Sequence, residues 1–185
     1  MTTDAPLFFW KETEPESGFL SPWYKVSFNG DNRIFKSAGH MILAEKAKLF
    51  GDLEAFNRIV AAETVEEQIR LSDEVRGFDE KLWQENALKI CKSANWAKFF
   101  SSYEPSVIKN QVLAIGKREL VYASPSDRIL GIGFAAEEAA QTDRKQWGQN
   151  YFGQGLDSAR RKVVQLADPD FPSIFDRGGK LEVHW

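Results

Sequence analysis

Lys46 and Asp127 are the residues whose surroundings most favour chemistry. Lys46 lies in a run rich in alanine and leucine, where lost hydration would favour the neutral, nucleophilic amine. Asp127 follows Ser124-Pro125-Ser126, where a carboxylate either caps a turn or binds a ribose hydroxyl. From the pattern alone, a surface lysine with a solvated ammonium group and a turn-capping aspartate are the simpler interpretations.

Other common catalytic arrangements find little support. The serines form no recognisable nucleophile-elbow pattern with either histidine, which disfavours a serine hydrolase. Gly131-Ile132-Gly133 is half of a dinucleotide-binding fingerprint, and without a third spaced glycine it is typical of a tight turn. One cysteine, Cys91, and two histidines make no Cys/His metal cluster by their spacing. No cofactor and no metal-binding residues are therefore expected, and the sequence leaves open whether the activity requires a metal.

Composition indicates one globular domain over residues 1–185, because a chain of 185 residues can bury most of its surface in one core. The net charge of −3 gives no global attraction to phosphate polymers, so any nucleic-acid contact would have to be local. The start lacks a cationic, apolar leader, and no stretch approaches the roughly 18 apolar residues of a membrane span. With a lone cysteine, these features predict a reducing location, the cytoplasm or the nucleus, and no membrane partner.

Short strands and then helices must position these residues. Residues 7–10 predict a strand, and residues 23–35 predict a β-hairpin with its turn at Asn29-Gly30-Asp31-Asn32. Helices are predicted over residues 37–50, 52–62, 64–71, 80–100 and 105–115. Thr64 and Glu67 have the spacing of a capping box.

The last third alternates turns with short elements. Residues 120–123 predict a strand that leads into the Ser124-Pro125-Ser126 turn. The segment Gly148 to Gly155 is expected to precede the last helix, which passes through Arg160 and Leu166. Residues 181–185 predict a small added strand.

Several segments, taken in order, resemble the NADAR family, which includes the YbiA-like N-glycosidases of riboflavin intermediates. The resemblance spans about residues 8 to 166. Its segments are Phe19-Leu20-Ser21-Pro22-Trp23-Tyr24, Ser37-Ala38-Gly39-His40-Met41, Glu45-Lys46-Ala47, Phe78-Asp79 with Trp83, Lys98-Phe99, Leu120 to Gly133, and Trp147 to Gly153.

The resemblance implies a mostly helical α+β domain with a small antiparallel β component, its core at about 8–166 and a tail at 167–185. It also implies cleavage of the bond between a ribose and a base or amine nitrogen. Removal of ADP-ribose from modified guanine is the expected reaction, with ADP-ribose or ADP-ribosylated guanine, free or in nucleic acid, as the partner. Hydrolysis of riboflavin intermediates is the alternative. The oligomeric state is left open.

Site residues follow from the same resemblance. Lys46 matches a family lysine that could attack the ribose C1 or hold a phosphate. Asp127 matches a loop aspartate that could bind ribose hydroxyls or polarise water, and Trp83 matches an aromatic residue that could stack on a base. The other expected ligand-binding residues are Ser21, Trp23, His40, Ser124, Arg128, Trp147, Asn150 and Gly153.

Gly39 is the main departure from the family pattern, in which a glutamate usually precedes the position of His40. If that glutamate is catalytic, its loss would remove about two to four decades of rate and leave ligand binding intact. Glu45 cannot replace it, because a six-residue offset rotates it away on a helix. Tyr122 and Leu130 also stand where Glu and Trp are frequent.

Three hypotheses therefore remain open for the function. The first is an N-glycosidase. The second is an ADP-ribose-binding module without turnover, either natural or the result of an engineered loss of the glutamate. The third is an interaction protein that has no affinity for nucleotides.

Overall fold

The computed structural model describes residues 5–168, and the elements in that range follow the sequence patterns closely. In chain order they are β1 (Leu7–Phe9), β2 (Phe28–Gly30), β3 (Arg33–Phe35), α1 (Ala38–Leu49), α2 (Leu53–Ala61), α3 (Val65–Asp73), α4 (Glu80–Phe100), α5 (Pro105–Ala114), β4 (Leu120–Tyr122), α6 (Ala136–Ala139) and α7 (Tyr151–Ala167). Two 3-10 helices add Gly18–Leu20 and Arg144–Gln146. The predicted strand at 181–185 lies outside the described residues.

Four helices begin at residues whose side chains accept a hydrogen bond from the amide three positions later. These N-caps are Ser37 for α1, Asp52 for α2, Thr64 for α3 and Asp79 for α4. Each satisfies an amide that the helix itself leaves without a partner, which fixes where the helix starts. The Thr64 cap predicted from the sequence is among them.

The strands form two separate pairs. β2 and β3 make the predicted antiparallel hairpin, with Phe28 opposite Phe35. Its turn residues Asp31 and Asn32 both have positive φ, as a two-residue turn matched to the strand twist requires. β1 and β4 pair in parallel, from Leu7↔Leu120 to Phe9↔Tyr122. That parallel pair was not predicted, because its strands are separated by most of the helices.

Asn150 covers the edge of β4 that faces away from β1. Its Nδ2 donates to the Leu120 carbonyl and its Oδ1 accepts from the Tyr122 amide, each at 2.9 Å. The Ile132 and Gly133 amides donate to the carbonyls of Tyr122 and Ser124 further along the same edge. The backbone groups of β4 therefore have partners on both sides.

Helix α7 begins at Tyr151, so the expectation that Gly148 to Gly155 would precede the last helix is wrong for its second half. The physical reason is packing, since α7 lies against α4 and β4. A Cβ at Gly155 would lie 2.8 Å from the carbonyl carbon of Cys91 in α4. Glycine at position 155 therefore allows α7 and α4 to approach each other closely.

The core lies between α1, α4, α7 and the strands, and its largest buried side chains are aromatic. Phe9 contacts Tyr122 and Phe152, with ring centroids 5.6 and 6.2 Å away. Phe35 meets the edge of His40 at 5.4 Å. Within residues 5–168, nine aromatic side chains are buried in the core, and others, such as Trp23, remain at a cavity. No helix within residues 5–168 is long and apolar enough to cross a membrane.

Candidate active site

A cavity of about 600 Å³ opens where α1, the end of α3, the start of α4 and the loop after β4 meet. This volume suits a nucleotide-sized ligand. Seven of the twelve predicted site residues line it: Trp23, Gly39, Lys46, Trp83, Ser124, Asp127 and Arg128. Residues separated by more than a hundred positions therefore converge on one cleft.

Lys46 projects from α1 and is half-buried. Its Nζ donates to the backbone carbonyl and to the Oγ of Ser72, both at 3.3 Å, and lies 4.9 Å from the ring centroid of Phe78. Burial lowers the pKa of this amine, while the carboxylates of Asp73 and Asp127 act in the opposite direction. Lys46 is thus a partly desolvated amine at a cavity wall, and the simple surface position is not what the structure shows.

Asp127 combines the two roles that the sequence left open. Its Oδ1 accepts hydrogen bonds from the amides of Ile129 and Leu130, both at 2.8 Å, which is the turn-capping role. Its Oδ2 receives no hydrogen bond from residues 5–168, and the residue lines the cavity. One oxygen therefore holds the loop in shape, and the other is left to meet a ligand hydroxyl or a water.

Trp23 fills the space beside Gly39. An ideal Cβ built on Gly39 would lie 2.5 Å from Cζ3 and 2.6 Å from Cε3 of the Trp23 ring. These distances are far inside van der Waals contact, so no side chain fits at position 39 while Trp23 keeps its place. In the cavity wall, an indole ring stands where the resemblance leads one to expect a carboxylate.

Tyr122 also lines the cavity and was noted in the sequence only as a departure. Burial, with the nearby Asp127 carboxylate, raises the pKa of its phenol well above the usual range, although hydrogen bonding with Ser124 and Trp23 opposes this. The phenol is therefore neutral at physiological pH and can donate a hydrogen bond. Where the family pattern often has a glutamate, this chain therefore has a hydrogen-bond donor that carries no charge.

Two carboxylates at the cavity were not predicted, Asp73 at the end of α3 and Glu80 at the start of α4. A helix-end carboxylate looks like an ordinary surface charge in a sequence, so no pattern marked them. Asp73 contributes to the electrostatics of Lys46. Within residues 5–168, no three His, Cys, Asp or Glu side chains are grouped so that they could hold a metal ion.

Trp83, Ser124 and Arg128 complete the predicted set at the cavity. Trp83 is buried in α4 and exposes 6% of its surface, so it contributes only a small part of the cavity wall. The Arg128 guanidinium donates to the Gln146 carbonyl at 2.6 Å and lies 5.6 Å from the Phe134 ring. These contacts hold Arg128 at the rim, where the remaining N–H groups can meet a phosphate.

The structure does not bring Ser21 or His40 to the cavity. Ser21 is fully buried, and its Oγ accepts from the Trp23 amide at 3.2 Å. His40 is also fully buried, with Nδ1 accepting from the Lys36 amide and Nε2 at 2.8 Å from the Ile59 carbonyl. Both side chains support the loop and the helix that carry Trp23 and Gly39, without reaching a ligand.

Trp147, Asn150 and Gly153 likewise lie outside this cavity. Trp147 meets Phe8 edge-on, with ring centroids 5.8 Å apart, in a small separate apolar cluster. Asn150 covers the edge of β4, as described above. Gly153 lies directly beneath the Asn150 side chain and the Leu120 carbonyl, where any Cβ would collide.

Lys98 is a further charged residue that the sequence did not single out as functional. It is fully buried in α4, and its Nζ donates to the carbonyls of Phe19 at 2.7 Å and Ser21 at 3.3 Å. Burial lowers its pKa to about 7. Because Ser21 is two residues before Trp23, Lys98 fixes the loop that supplies one wall of the cavity.

Comparisons with known proteins find related sequences and one related fold. A family model described as the NADAR domain matches residues 8–164. N-glycosidase R617 of Acanthamoeba polyphaga mimivirus is 32% identical over 173 residues, which are 89% of this chain and 100% of the viral protein. A riboflavin biosynthesis protein of Vibrio vulnificus, VVA0006, is 24% identical over 98% of this chain, which spans 45% of that longer protein.

A solved structure shows the same fold. The NMR structure of the Escherichia coli protein YbiA superposes with a TM-score of 0.70 over 90% of this chain and 89% of that one. The sequence identity is 17%, so the likeness concerns the fold alone. It confirms the predicted α+β, YbiA-like fold class.

Proposed function

The chain belongs to the NADAR family, and from this premise we propose that it is an N-glycosidase that cleaves the ribose–nitrogen bond of an ADP-ribose-type substrate. The proposed substrate carries ADP-ribose on a guanine base. The viral relative is named an N-glycosidase and is matched over its whole length, which supports the reaction class. The proposed catalytic residues are Lys46 and Asp127.

The observation that carries the proposal is the convergence of Lys46, Asp127, Trp23 and Trp83 on one cavity of about 600 Å³. A nucleotide-diphosphate ligand needs aromatic surface for its base, a cation for its phosphates and an acceptor for its ribose hydroxyls. The cavity provides all three. Arg128 adds a second cation at the rim.

The reaction breaks the C1–N bond, and the electron pair leaves with the base nitrogen, which takes up a proton. Positive charge develops on C1, so an anionic group nearby lowers the barrier. We assign this role to the Oδ2 of Asp127, which can also orient the water whose oxygen bonds to C1 and whose proton is released. The neutral Tyr122 phenol is suited to donate a hydrogen bond to the leaving base.

Lys46 contacts the ligand directly in this proposal, in one of two ways. As a neutral amine it attacks C1 to give a Schiff base that water later hydrolyses, and burial favours this form by lowering the pKa. As an ammonium group it holds a phosphate. Borohydride reduction distinguishes the two roles. It reduces a Schiff base, so the sugar stays covalently attached to Lys46 only if the amine attacks C1.

The glycine at position 39 is the basis for the second candidate function, an ADP-ribose-binding module without turnover. The Trp23 ring occupies the place of a side chain at position 39, so the cavity has extra stacking surface and lacks a carboxylate there. If that carboxylate is indispensable, binding persists and catalysis does not. A third candidate, hydrolysis of riboflavin intermediates, draws on the name of the Vibrio relative.

The test combines calorimetry and a product assay. ADP-ribose is titrated into the protein, and base release is followed by chromatography from an ADP-ribosylated guanine nucleoside and from a riboflavin intermediate. Binding with guanine release supports the proposed enzyme, and binding without any release supports the binding module. Release only from the riboflavin intermediate favours the third candidate, and absence of all binding would overturn the site assignment.

Matched variants make the result specific to the cavity. Lys46→Ala removes the amine at the wall, whereas Lys48→Ala removes a neighbouring amine that pairs with Asp31 on the other side of α1. The first change is expected to abolish turnover and the second to leave it unaltered. Equal effects of both variants would show that Lys46 acts only through general surface charge.

A further inference from the structure

A second cavity, of about 890 Å³, lies between α4 and α7 and shares no lining residue with the first. We propose that this α4–α7 groove binds single-stranded nucleic acid, with the phosphate backbone on its cations and a base against Trp96. Its lining comes from α4, from α7 and from the segment that leads into β4, and includes Lys92, Trp96, Lys117 and Arg161.

The first observation is the concentration of positive charge in a protein whose net charge is −3. Lysines and arginines clearly outnumber carboxylates in the groove, which has only Glu119 and Asp157. Glu119 is paired with Arg144 at 2.6 Å, and Asp157 is paired with Arg160 and Arg161. Both carboxylates therefore have cationic partners. The charged side chains that line the groove leave it with an excess of positive charge.

Two of the cations are available for a ligand. Lys92 on α4 and Lys117 on the approach to β4 form no ion pair within residues 5–168. Lysine side chains of this kind neutralise backbone phosphates and release condensed counterions, which gives affinity without sequence preference. Lys92 belongs to α4 and Lys117 to the segment before β4, so two different elements bring positive charge to the groove.

Trp96 supplies the aromatic surface. The side chain is 43% exposed, which is unusual for tryptophan in an ordinary helix position. One face of its ring is held by Phe100, with centroids 4.3 Å apart and planes at 32°. Lys92 lies one helical turn before it on the same face of α4. A fixed ring beside a cation is the arrangement on which unpaired bases stack.

The shape of the groove favours an extended ligand. Gln154, Ser158 and Gln165 line it along one face of α7, which extends about 16 Å between the first and the last of them. This length exceeds that of a single phosphate, and the uncharged amides and hydroxyl can donate hydrogen bonds along it. A strand of several nucleotides fits these features.

The groove is rigidly connected to the first cavity through β4. Leu120 lines the groove, Tyr122 lines the first cavity, and the Asn150 side chain hydrogen-bonds to both. The inference goes beyond the proposed reaction and does not depend on it, because binding of a strand requires no turnover. Asn150 and Gly153, predicted as ligand-binding residues, lie at the floor of this groove.

The experiment uses a fluorescein-labelled oligothymidylate, which contains no guanine and cannot serve as the proposed substrate. Fluorescence anisotropy at low salt measures its dissociation constant for the whole chain. We expect Lys92→Glu/Lys117→Glu to weaken binding at least about 10-fold and to lower the salt dependence by about 1.4 in log–log slope. Trp96→Ala is expected to weaken it about 5- to 150-fold.

Lys81→Glu is the matched control, since it reverses one charge on the same helix about 16 Å away from Lys92. It should change the dissociation constant less than about twofold. These positions are exposed, so circular dichroism and thermal melting are expected to match the parent protein. Base release from a free ADP-ribosylated nucleoside should also be unchanged in the groove variants, which separates this inference from the proposed function.

Three results would overturn the inference. One is an absence of binding at low salt. A second result has two parts: saturating ADP-ribose displaces the oligonucleotide, and the Lys92→Glu/Lys117→Glu variant binds it as well as the parent protein does. That combination would place the strand in the first cavity. The last is equal affinity for heparin with no effect of Trp96→Ala, which would show that the groove attracts any polyanion without stacking a base.

Discussion

The indole ring of Trp23 occupies the position in which a side chain of Gly39 would begin, with Cζ3 only 2.5 Å from the ideal Cβ. The two positions therefore depend on each other. A large ring at position 23 in this orientation requires glycine at position 39, and any larger residue at 39 requires the ring to move. The Trp23 ring therefore leaves no room in the cavity wall for a carboxylate at position 39.

Gly39→Ala is the first test of this dependence. We expect it to destabilise the protein by about 1–3 kcal/mol, because the new methyl group overpacks the wall. In a Trp23→Ala background the same change should cost much less, since the ring is gone. Urea denaturation of the parent, both single variants and the double variant gives the coupling energy, expected at about 1 kcal/mol or more. Additive effects would show that the ring moves away freely.

Gly39→Glu extends the test to catalysis. On its own, the change should fail to raise turnover, because the new side chain and the Trp23 ring compete for one space. Combined with Trp23→Ala, the new carboxylate has room to reach the cavity, and base release should exceed that of Trp23→Ala alone by roughly 10²- to 10⁴-fold. Adding Lys46→Ala should abolish this gain. If turnover in the Trp23→Ala background is the same with and without Gly39→Glu, position 39 has no catalytic role.

Asp127→Asn separates the two functions of Asp127. The asparagine Oδ1 can still accept from the Ile129 and Leu130 amides, so the loop should keep its shape and the melting temperature should hardly change. The loss of negative charge should reduce turnover by roughly 10²- to 10⁴-fold. Asp143→Asn, at another capping aspartate away from the cavity, serves as the control. Full activity of Asp127→Asn would reduce Asp127 to a capping residue.

Lys98→Met tests how the loop before Trp23 is held. Burial lowers the folded-state pKa of Lys98 to about 7 from 10.5, so between these values the unfolded chain binds more protons than the folded one. The free energy of unfolding of the parent protein should therefore rise with pH relative to Lys98→Met, at up to about 1.4 kcal/mol per pH unit. Below about pH 7 both states carry the proton, and the difference should be constant.

Urea denaturation between about pH 6 and about pH 9 measures this slope. Lys98→Met also removes two hydrogen bonds to the carbonyls of Phe19 and Ser21, which should weaken ADP-ribose affinity by loosening the Trp23 wall. Lys89→Met, at an exposed position of the same helix, is the control. Parallel stability curves for the parent and Lys98→Met would mean that Lys98 does not change its protonation in this range.

His40→Gln addresses stability in acid. Burial lowers the pKa of the imidazole from 6.5, and both ring nitrogens already have partners, so the folded state holds the neutral form. As pH falls below 6.5, the unfolded chain takes up the proton first, and the parent protein loses stability. The glutamine variant should start less stable at neutral pH and show a flatter decline down to about pH 5. Melting temperatures of the parent protein and of His40→Gln across this pH range test the prediction. If both fall equally as the pH is lowered, His40 is not held in the neutral form by the fold.

The sequence was sufficient for elements whose signals are local. The Thr64 cap and the hairpin turn are set by residues within four positions of each other, so local patterns identified them, although the predicted turn also included Asn29 and Gly30, which belong to β2. The parallel pairing of β1 with β4 depends on how several helices pack between them, and no local pattern encodes that. The start of α7 was missed because glycine favours turns and also permits close packing of helices.

The candidate site was predictable only through family resemblance. Hydrophobic periodicity on α1 does not distinguish Lys46 at a cavity from a solvated lysine, since the difference lies in Ser72 and Phe78 on other elements. The depth of Lys98 is set by carbonyls almost eighty positions earlier in the chain. Asp73 and Glu80 reach the cavity because of where α3 ends and α4 begins.

The side chain of Asn150 has a consequence beyond its place in the fold. By bonding to Leu120 and Tyr122, it takes the hydrogen-bonding positions that an incoming strand would need at the outer edge of β4. An open edge with the apolar sequence Leu-Val-Tyr would be a template for pairing between molecules and for aggregation. One amide group thus closes this part of the edge of β4 to an incoming strand, and its replacement by leucine would leave the Leu120 carbonyl and the Tyr122 amide without these hydrogen bonds.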